Sequence, residues 1–193
     1  FLGFVVAVIT SYFLFSAGVK ATYFVLATLA LSILTEQLAV TKSALTGGWN
    51  GLFVDRINIK VGDFTLLDLS GDVKFFYLIL FISLITYLIL YYLENNKIGK
   101  VLRGIGENEN RMLAMGYKTS FYKTVAFGVS GSVAALAGAL YAAHASFISP
   151  SIAGVLFSTE VVVWVAIGGR YSLLGAFAGG IIVSFLSSYL STI

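Results

Sequence analysis

The sequence contains no cysteine and a single histidine, His144. Without cysteine these residues offer no disulfide bond and no thiolate ligand, and one histidine lacks the partners that a metal site or a catalytic triad requires. The glycine-rich stretch at 45–52 lacks the Lys-Ser or Lys-Thr pair of a phosphate-binding loop. No other catalytic constellation stands out. We therefore expect no metal, no cofactor and no enzymatic activity.

Charge is also scarce. Charged residues make up 11% of the chain and hydrophobic residues 59%, whereas an average globular protein is about 25% charged. Residues 75–93 carry no charge at all, and at about 1.5 Å per residue a helix of that length nearly crosses a hydrocarbon core of roughly 30 Å. The composition predicts an integral membrane protein in contact with lipid. In a membrane protein an excess of Lys and Arg mainly shows which loops lie in the cytoplasm, so the net charge of +3 does not indicate nucleic-acid binding.

Hydropathy divides the chain into apolar segments with polar connections. The sequence predicts an all-α fold, a polytopic transmembrane helix bundle that forms one domain over 1–193. The chain starts and stops in apolar sequence, so we expect it to be a fragment of a longer one. The fifth segment is short for a span, so it could be a half-helix or a re-entrant piece. The segments are 1–19, 21–41, 74–93, 121–143, 155–168 and 173–192.

The charges of the two long connections predict the topology. The charged segment, residues 94–123, carries six Lys or Arg and three Glu, whereas the outer loop, residues 45–73, carries Arg56 and Lys60 with four Asp. The positive-inside rule therefore places the charged segment in the cytoplasm and the outer loop outside. Lys20 and Arg170 agree if all six segments cross the membrane. If the fifth is re-entrant, the last part inverts.

The outer loop has two features of its own. Alternating apolar and polar residues around 57–61 favour a short hairpin or an extended flap. The stretch "LTGGWNGL" places Gly47, Gly48 and Asn50 where the second helix ends, because glycine permits a tight turn. This turn could be a gate, a contact for a solute-binding protein, or a plain loop turn.

Two further patterns concern packing and docking. Small residues recur every four positions on the fourth segment, which predicts close helix packing in lipid. The charged segment could form short helices that dock into a groove on a partner, with Gly116 ending the last one. Alternatively, it is a solvated loop that only sets orientation. The small-residue runs are Ser130, Ala134, Gly138 and Ala142; Gly131, Ala135, Ala139 and Ala143; and, on the last segment, Ala176, Gly180, Ser184 and Ser188.

The stretch "GKVLRGIGENENRMLAMGY…YK…AF…AALAGALYA" resembles the cytoplasmic loop and following helix of ATP-binding-cassette permeases of the LivM type. Those proteins serve branched-chain amino acids, urea and short amides. The stretches "YFVLATLALSIL" and "LTGGWNGL" upstream, and "ISPSIAGVLFSTEVVVWVAIGGRYSLLGAFAGG" downstream, resemble the family in the same order. The resemblance thus runs collinearly over about 20–190.

The resemblance implies that the charged segment couples the permease to an ATPase. The coupling residues it indicates are Glu107, Asn108, Glu109, Arg111 and Gly116. Gly104, Gly106 and Met112 depart from the family pattern, which usually has Ala, Arg and Ala there. Because two glycines weaken a helix by roughly 1 kcal/mol each, we expect the docking element proper to begin near Glu107.

The resemblance also implies a substrate. A carboxylate inside an apolar segment, such as Glu160, is costly unless it is paired, protonated or facing water. The stretch "STEVVVWVAIGGR" is similar to urea-type members of the family, so Glu160, Trp164 and Arg170 are candidates for a urea translocation path. Urea presents four N–H donors to carboxylate and amide oxygens. Alternatively, Glu160 pairs with a helix end or another subunit.

These observations predict a permease subunit of an ATP-driven importer in the bacterial cytoplasmic (inner) membrane, translocating urea by alternating access. The alternative substrates are branched-chain amino acids or short amides. The resemblance implies a second permease subunit, two ATPase subunits and an extracytoplasmic solute-binding protein as partners. A passive small-solute channel would leave the charged segment unexplained, and a membrane enzyme would lack catalytic groups.

Overall fold

The computed structural model describes residues 2–18, 21–54, 58–61, 64–68, 72–169 and 172–190. Lys20, Arg56 and Arg170 therefore lie outside the described residues. The helices are α1 (Leu2–Ser16), α2 (Ala21–Thr41), α3 (Ser43–Thr46), α4 (Asp72–Asn95), α5 (Lys97–Glu107), α6 (Glu109–Ala114), α7 (Thr119–Ala145), α8 (Val155–Gly168) and α9 (Leu173–Leu190). The strands are β1 (Leu52–Phe53), β2 (Asn58–Val61), β3 (Phe64–Asp68) and β4 (Phe147–Ile148), and 3-10 turns cover Gly48–Asn50 and Pro150–Ala153.

The predicted all-α membrane fold is confirmed. Four helices within the described residues are long and apolar enough to cross a bilayer, over Tyr23–Thr41, Val73–Asn95, Thr119–Ala145 and Leu173–Leu190. The apolar helices α1 and α8 are shorter, at 15 and 14 residues. At about 1.5 Å per residue, α8 extends roughly 21 Å, which is less than a hydrocarbon core of about 30 Å.

The chain divides into two units, and the first consists of Phe1–Val25 and Phe53–Phe147. Its main contact is between α1 and α7. A Cβ at Gly3 would lie 2.3 Å from Ala135 Cβ, and one at Gly131 would lie 2.4 Å from Ala7 Cβ. Small residues let the two backbones approach closely, as expected for helices that associate in lipid. Of the small residues on the fourth apolar segment, Gly131 and Ala135 thus serve packing at this crossing, whereas Gly138 has no atom within 4 Å of its Cβ position.

Farther along the same unit, α4 meets the end of α7. Phe75 and Ala143 are both 2% exposed and form a small buried cluster, and the His144 ring stacks on Phe75 with centroids 6.0 Å apart. Beyond it, the Phe53 and Phe147 rings lie 5.3 Å apart. His144 is therefore engaged in ring packing at the end of α7.

The outer loop contains the expected hairpin. β2 and β3 pair antiparallel, with Asn58 opposite Asp68 and Val61 opposite Phe64, and the register shifts between Ile59 and Lys60. Alternating residues suit a two-stranded ladder because successive side chains point to opposite faces. The alternation left a short hairpin and an extended flap open, and the pairing of β2 with β3 corresponds to the hairpin.

The second unit consists of Leu26–Leu52 and Ile148–Ile193. Its main helix contact is between α8 and α9, which meet through backbone. A Cβ at Gly175 would lie 2.1 Å from Gly168 O, and one at Gly179 would lie 2.4 Å from Trp164 O. At Gly180, by contrast, no atom lies within 4 Å of the Cβ position. The packed face of α9 is therefore displaced by one residue from the Ala176–Gly180 run that the sequence suggested.

The same unit brings α2 against the start of α8. Ser32 Oγ donates a hydrogen bond to Ala153 O at 2.6 Å, and a Cβ at Gly154 would lie 2.7 Å from Glu36 Oε2. Gly154 is the N-cap residue of α8. A carboxylate beside the first turn of a helix is favourable because the unpaired N–H groups there carry partial positive charge. Of the two carboxylates in apolar segments, it is therefore Glu36, rather than Glu160, that lies against a helix end.

Candidate functional site

The charged segment folds into two short helices that follow α4 without a long loop. At the corner between α4 and α5, Arg103 Nη2 donates to Glu94 O at 3.1 Å and lies 3.4 Å from Glu94 Oε1. A Cβ at Gly99 would lie 2.1 Å from Glu94 O, so this corner requires glycine. The corner fixes the direction in which α5 leaves the membrane-spanning helix.

The helix α5 continues through both glycines that were expected to weaken it. It ends at Glu107, and the chain then turns at Asn108, whose backbone is extended with φ −158° and ψ 98°. A Cβ at Gly104 would lie 2.9 Å from Met112 Sδ. The two departures from the family pattern are therefore complementary, because the missing methyl group at 104 makes room for the longer side chain at 112.

Asn108 and Glu109 begin α6. Asn108 Oδ1 accepts a hydrogen bond from Arg111 N at 3.0 Å, so its side chain caps the helix. Glu109 Oε1 accepts hydrogen bonds from Thr119 Oγ1, at 3.0 Å, and from Lys123 Nζ. Glu109 thus connects α6 to the first turns of α7.

The charge state of Glu109 follows from these contacts. The hydrogen bond from Lys123 lowers the pKa of Glu109 below its ordinary value; partial burial opposes this, and the hydroxyl of Thr119 lowers the pKa further. The carboxyl group is therefore ionised at neutral pH. Thr119 is only 2% exposed, so its hydroxyl needs a partner inside the protein and Glu109 provides it.

The other residues indicated for coupling lie at the surface. Glu107 and Arg111 are exposed, and Gly116 follows α6 with φ +86°, a conformation that favours glycine. Gly116 N donates to Leu113 O at 2.9 Å, which closes the end of the helix. The sequence indicates Glu109 as a coupling residue, which stays a prediction, and gives no indication of Thr119 and Lys123 as its partners, because they lie on a different helix.

A cleft of about 730 Å³ lies between α8 and α9. Glu160 and Trp164 line one side of it, and the Trp164 ring contacts Phe157 edge-on at 6.3 Å. Polar side chains of α9 line the other side, so the cleft combines hydroxyl groups with one carboxylate. Its lining comprises Leu156, Thr159, Glu160, Val163, Trp164, Val183, Ser184, Ser187 and Ser188.

The cleft unites two of the three residues predicted for a translocation path. Glu160 and Trp164 are one helical turn apart on α8, whereas Arg170 lies outside the described residues. The sequence indicates Ser184 and Ser188 as packing residues and gives no indication of Ser187. The four-residue spacing of Ser184 and Ser188 is the feature of the sequence that indicates a shared polar surface, since polar residues at that spacing share one helix face.

The turn after α3 has the geometry its glycines predicted. Gly47 and Gly48 have φ of +71° and +59°, and Gly48 is buried. A Cβ at Gly47 would lie 1.9 Å from Gly51 O, so the turn closes on its own backbone. Asn50 and Trp49 are exposed at the surface of this turn. Within the described residues, no group of three or more His, Asp or Glu side chains is placed to hold a metal ion.

Comparison with protein families matches the chain to a family of transport permeases. A family model described as "branched-chain amino acid transport system / permease component" matches residues 1–193. No solved structure is a significant match.

Comparison with curated proteins gives several relatives. The chain is 28% identical over 182 residues to the probable branched-chain amino acid transport permease protein LivM of Methanocaldococcus jannaschii, covering 92% of this chain and 50% of that one. It is 26% identical over 147 residues to the high-affinity branched-chain amino acid transport system permease protein LivM of Escherichia coli, covering 76% and 33%. It is 29% identical over 107 residues to the ribose import permease protein RbsC of Haemophilus influenzae, covering 52% and 33%. The chain spans half the length, or less, of these curated relatives.

Proposed function

Because the chain belongs to the family of branched-chain amino acid transport system permease components, we propose that it is the membrane permease subunit of an ATP-driven importer. The observation that carries the proposal is the family match over residues 1–193 of a multi-pass membrane protein. The named relatives are transport permeases, so we assign this chain to transport and not to enzymatic catalysis.

The proposal includes the partners. Two ATPase subunits would hydrolyse ATP, since this sequence carries no phosphate-binding loop. A second permease chain would complete the pathway, and an extracytoplasmic protein would deliver the solute. The six Lys or Arg residues of the charged segment favour its placement in the cytoplasm. There the exposed Glu107 and Arg111 are available to the ATPase. The membrane itself would be the bacterial inner membrane, as the family resemblance implies.

Transport would proceed by alternating access. Closure of the ATPase subunits would move α5 and α6, and this movement would turn the membrane helices so that a central path opens to the other side. The close glycine contacts between α1 and α7, and between α8 and α9, suit such a movement because each pair can shift as a unit. The turn at Gly47, Gly48 and Asn50 would lie outside, where the solute-binding protein docks.

Two substrates are supported by different observations. Branched-chain amino acids follow from the names of the relatives. Urea is the second candidate, and the cleft between α8 and α9 supports it. Urea is small and planar with four N–H donors, and Glu160 and the serines of α9 offer oxygen acceptors to such donors.

Uptake measurements test the function and the substrate together. Cells carrying the complete gene cluster, with and without this subunit, would receive radiolabelled urea, leucine or ribose. Loss of urea uptake, or of leucine uptake, on deletion identifies the substrate. If deletion changes none of these uptakes and the purified assembly has no solute-stimulated ATPase activity, the importer proposal is wrong.

Two variants test the cleft. A hydrogen bond to a charged group contributes about 1.5–3 kcal/mol, so Glu160→Gln should raise the half-saturating urea concentration by about tenfold or more. Val162→Ala is the matched control, because Val162 is an exposed residue of α8 that does not line the cleft. If Glu160→Gln leaves uptake unchanged, the inference of a urea path through Glu160, Trp164 and Arg170 is discarded.

A further inference from the structure

We propose that the ion pair of Glu109 and Lys123 is a latch that fastens α6 to α7, so that a force applied to the charged segment moves the ends of α1, α2 and α7 as one body. The inference rests on the proposed function, because only an importer driven from the charged segment needs to transmit such a force. Glu109 and Lys123 are positioning residues in this scheme, and neither touches the solute.

The geometry of Glu109 is the first support. Glu109 is the first residue of α6, and one of its oxygens, Oε1, receives both Thr119 Oγ1 and Lys123 Nζ. These donors lie in successive turns of α7, four residues apart. A carboxylate held by two donors on one helix face fixes orientation as well as distance. The Glu109 side chain is 41% exposed and that of Lys123 is 26% exposed, so the pair is shielded only in part.

Lys123 extends the contact to a third helix. Its Nζ lies 5.4 Å from the centre of the Phe15 ring, within the range of a cation–π interaction, and Phe15 is in the last turn of α1. Ser120 Oγ also donates to Phe15 O at 3.4 Å. The lysine is thus held between a carboxylate of α6 and an aromatic ring of α1.

An aromatic cluster carries the connection farther. The Phe15 ring stacks on that of Phe24, with centroids 4.6 Å apart and planes inclined by 7°. The Phe24 ring in turn meets Phe127 edge-on at 5.4 Å. These residues lie near the end of α1, at the start of α2 and two turns into α7. The latch therefore sits directly beside the point where three membrane helices pack together.

The length of α6 explains why a latch is needed. The helix has six residues, and a helix that short has little stability of its own in water. It follows an extended residue, Asn108, so the backbone there can act as a hinge. Without a side-chain link to α7, α6 could rotate about this hinge when a partner pushes on it. With the link, the push reaches α7.

The first experiment measures the distance between α6 and α7, and so tests whether the ion pair holds the two helices together. These residues contain no native cysteine, so spin labels can be placed at Leu113→Cys in α6 and Phe121→Cys in α7, which are 51% and 64% exposed. We expect a narrow distance distribution that broadens in Glu109→Gln and in Lys123→Met. Lys118→Met is the matched control, since Lys118 is an exposed lysine that precedes α7. Equal distributions in all variants would overturn the latch.

The second experiment measures transmission in the complete assembly with its ATPase subunits. We expect Lys123→Met to retain ATPase activity while the solute transported per ATP falls several-fold, and we expect the same fall in solute transported per ATP in Glu109→Gln. The exchanged variant, Glu109→Lys with Lys123→Glu, should recover most of the loss and the narrow distance distribution. Failure of the exchange to recover either one would contradict a direct pair.

The remaining outcomes separate the latch from the proposed function. If the single variants release the ATPase from the purified assembly, Glu109 contacts the ATPase directly and the latch is wrong. If the wild-type assembly shows no ATP-dependent uptake, the proposed function fails, and the distance distributions still decide whether Glu109 and Lys123 hold α6 to α7.

Discussion

The crossing of α1 and α7 makes the sharpest prediction, because it depends on the absence of one methyl group. A Cβ at Gly131 would lie 2.4 Å from Ala7 Cβ and 3.0 Å from Gly3 O. Since carbon atoms make their best contact at about 3.5–4.0 Å, Gly131→Ala should force the helices apart by about 1 Å. Neither obstructing atom is the end of a flexible side chain, so rotation of a side chain cannot relieve the contact.

The magnitude follows from two opposing effects. Overpacking of this kind costs about 1–3 kcal/mol. Alanine returns at most about 1 kcal/mol through its higher helix propensity. Subtracting the full alanine gain of about 1 kcal/mol leaves an expected loss of up to about 2 kcal/mol in the free energy of unfolding of Gly131→Ala, measured by titration with SDS in mixed micelles.

Two further variants control this prediction. At Gly138, in the same helix, no atom lies within 4 Å of the Cβ position, so Gly138→Ala should be neutral or stabilising. Ala7→Gly removes the nearest obstruction, so adding it to Gly131→Ala should restore most of the lost stability. If Gly131→Ala and Gly138→Ala are equally stable, the close crossing of α1 and α7 is refuted.

Other positions give predictions of the same kind. Gly179→Ala should lower stability in the same titration by an amount similar to that for Gly131→Ala, because its Cβ would lie 2.4 Å from a backbone oxygen, while Gly180→Ala, which meets nothing within 4 Å, should not. Lys123 lowers the pKa of Glu109, so the difference in unfolding free energy between wild type and Glu109→Gln should be constant above the ordinary glutamate pKa. This difference should disappear as the pH falls through the lowered pKa. A loss of the difference between pH 8 and 6 would contradict the ion pair of Glu109 and Lys123. At Gly116, with φ +86°, Asn should be tolerated better than Ala in the same titration, since Asn adopts left-handed backbone more readily, and equal stability of the two variants would contradict this conformation.

Much of the fold could be predicted from hydropathy alone. The predicted segment 155–168 coincides with α8, and 21–41 coincides with α2. The helices α4 and α7 extend two residues beyond the predicted segments 74–93 and 121–143 at each end, whereas α1 ends at Ser16, before the predicted end of the segment 1–19. Membrane spans are the easiest elements to predict, since backbone in lipid must satisfy its own hydrogen bonds and a helix does so locally.

The candidate sites could be predicted only in part, because their geometry depends on contacts between helices. The sequence indicated Glu109 as a coupling residue, but Lys123 is fourteen positions away and becomes its partner only when α6 folds back toward α7. The run of Ala176, Gly180, Ser184 and Ser188 did not identify the closest contacts of α9, which are at Gly175 and Gly179, because these glycines also recur every four residues. Ser184 and Ser188 of that run line the cleft. The compensation between Gly104 and Met112 could not be predicted either, because the two residues are eight positions apart and lie on different helices.

Three carboxylates on or beside the apolar helices, those of Glu36, Glu109 and Glu160, differ from one another in their surroundings. Glu36 lies against the first turn of α8, where the N–H groups favour a negative charge. Glu109 is paired with Lys123 outside the apolar segments, and Glu160 faces a cleft lined by hydroxyl groups.

Burial of a charge in an apolar segment is costly, so a carboxylate there needs a compensating contact or a function. The position of Glu36 supplies such a contact, whereas the surroundings of Glu160 offer hydroxyl groups that a polar solute would also use. On this argument Glu160→Gln should impair solute uptake with little loss of stability in the SDS titration. Glu36→Gln should instead lower the stability. A stable Glu36→Gln together with a destabilised Glu160→Gln that retains uptake would contradict the argument.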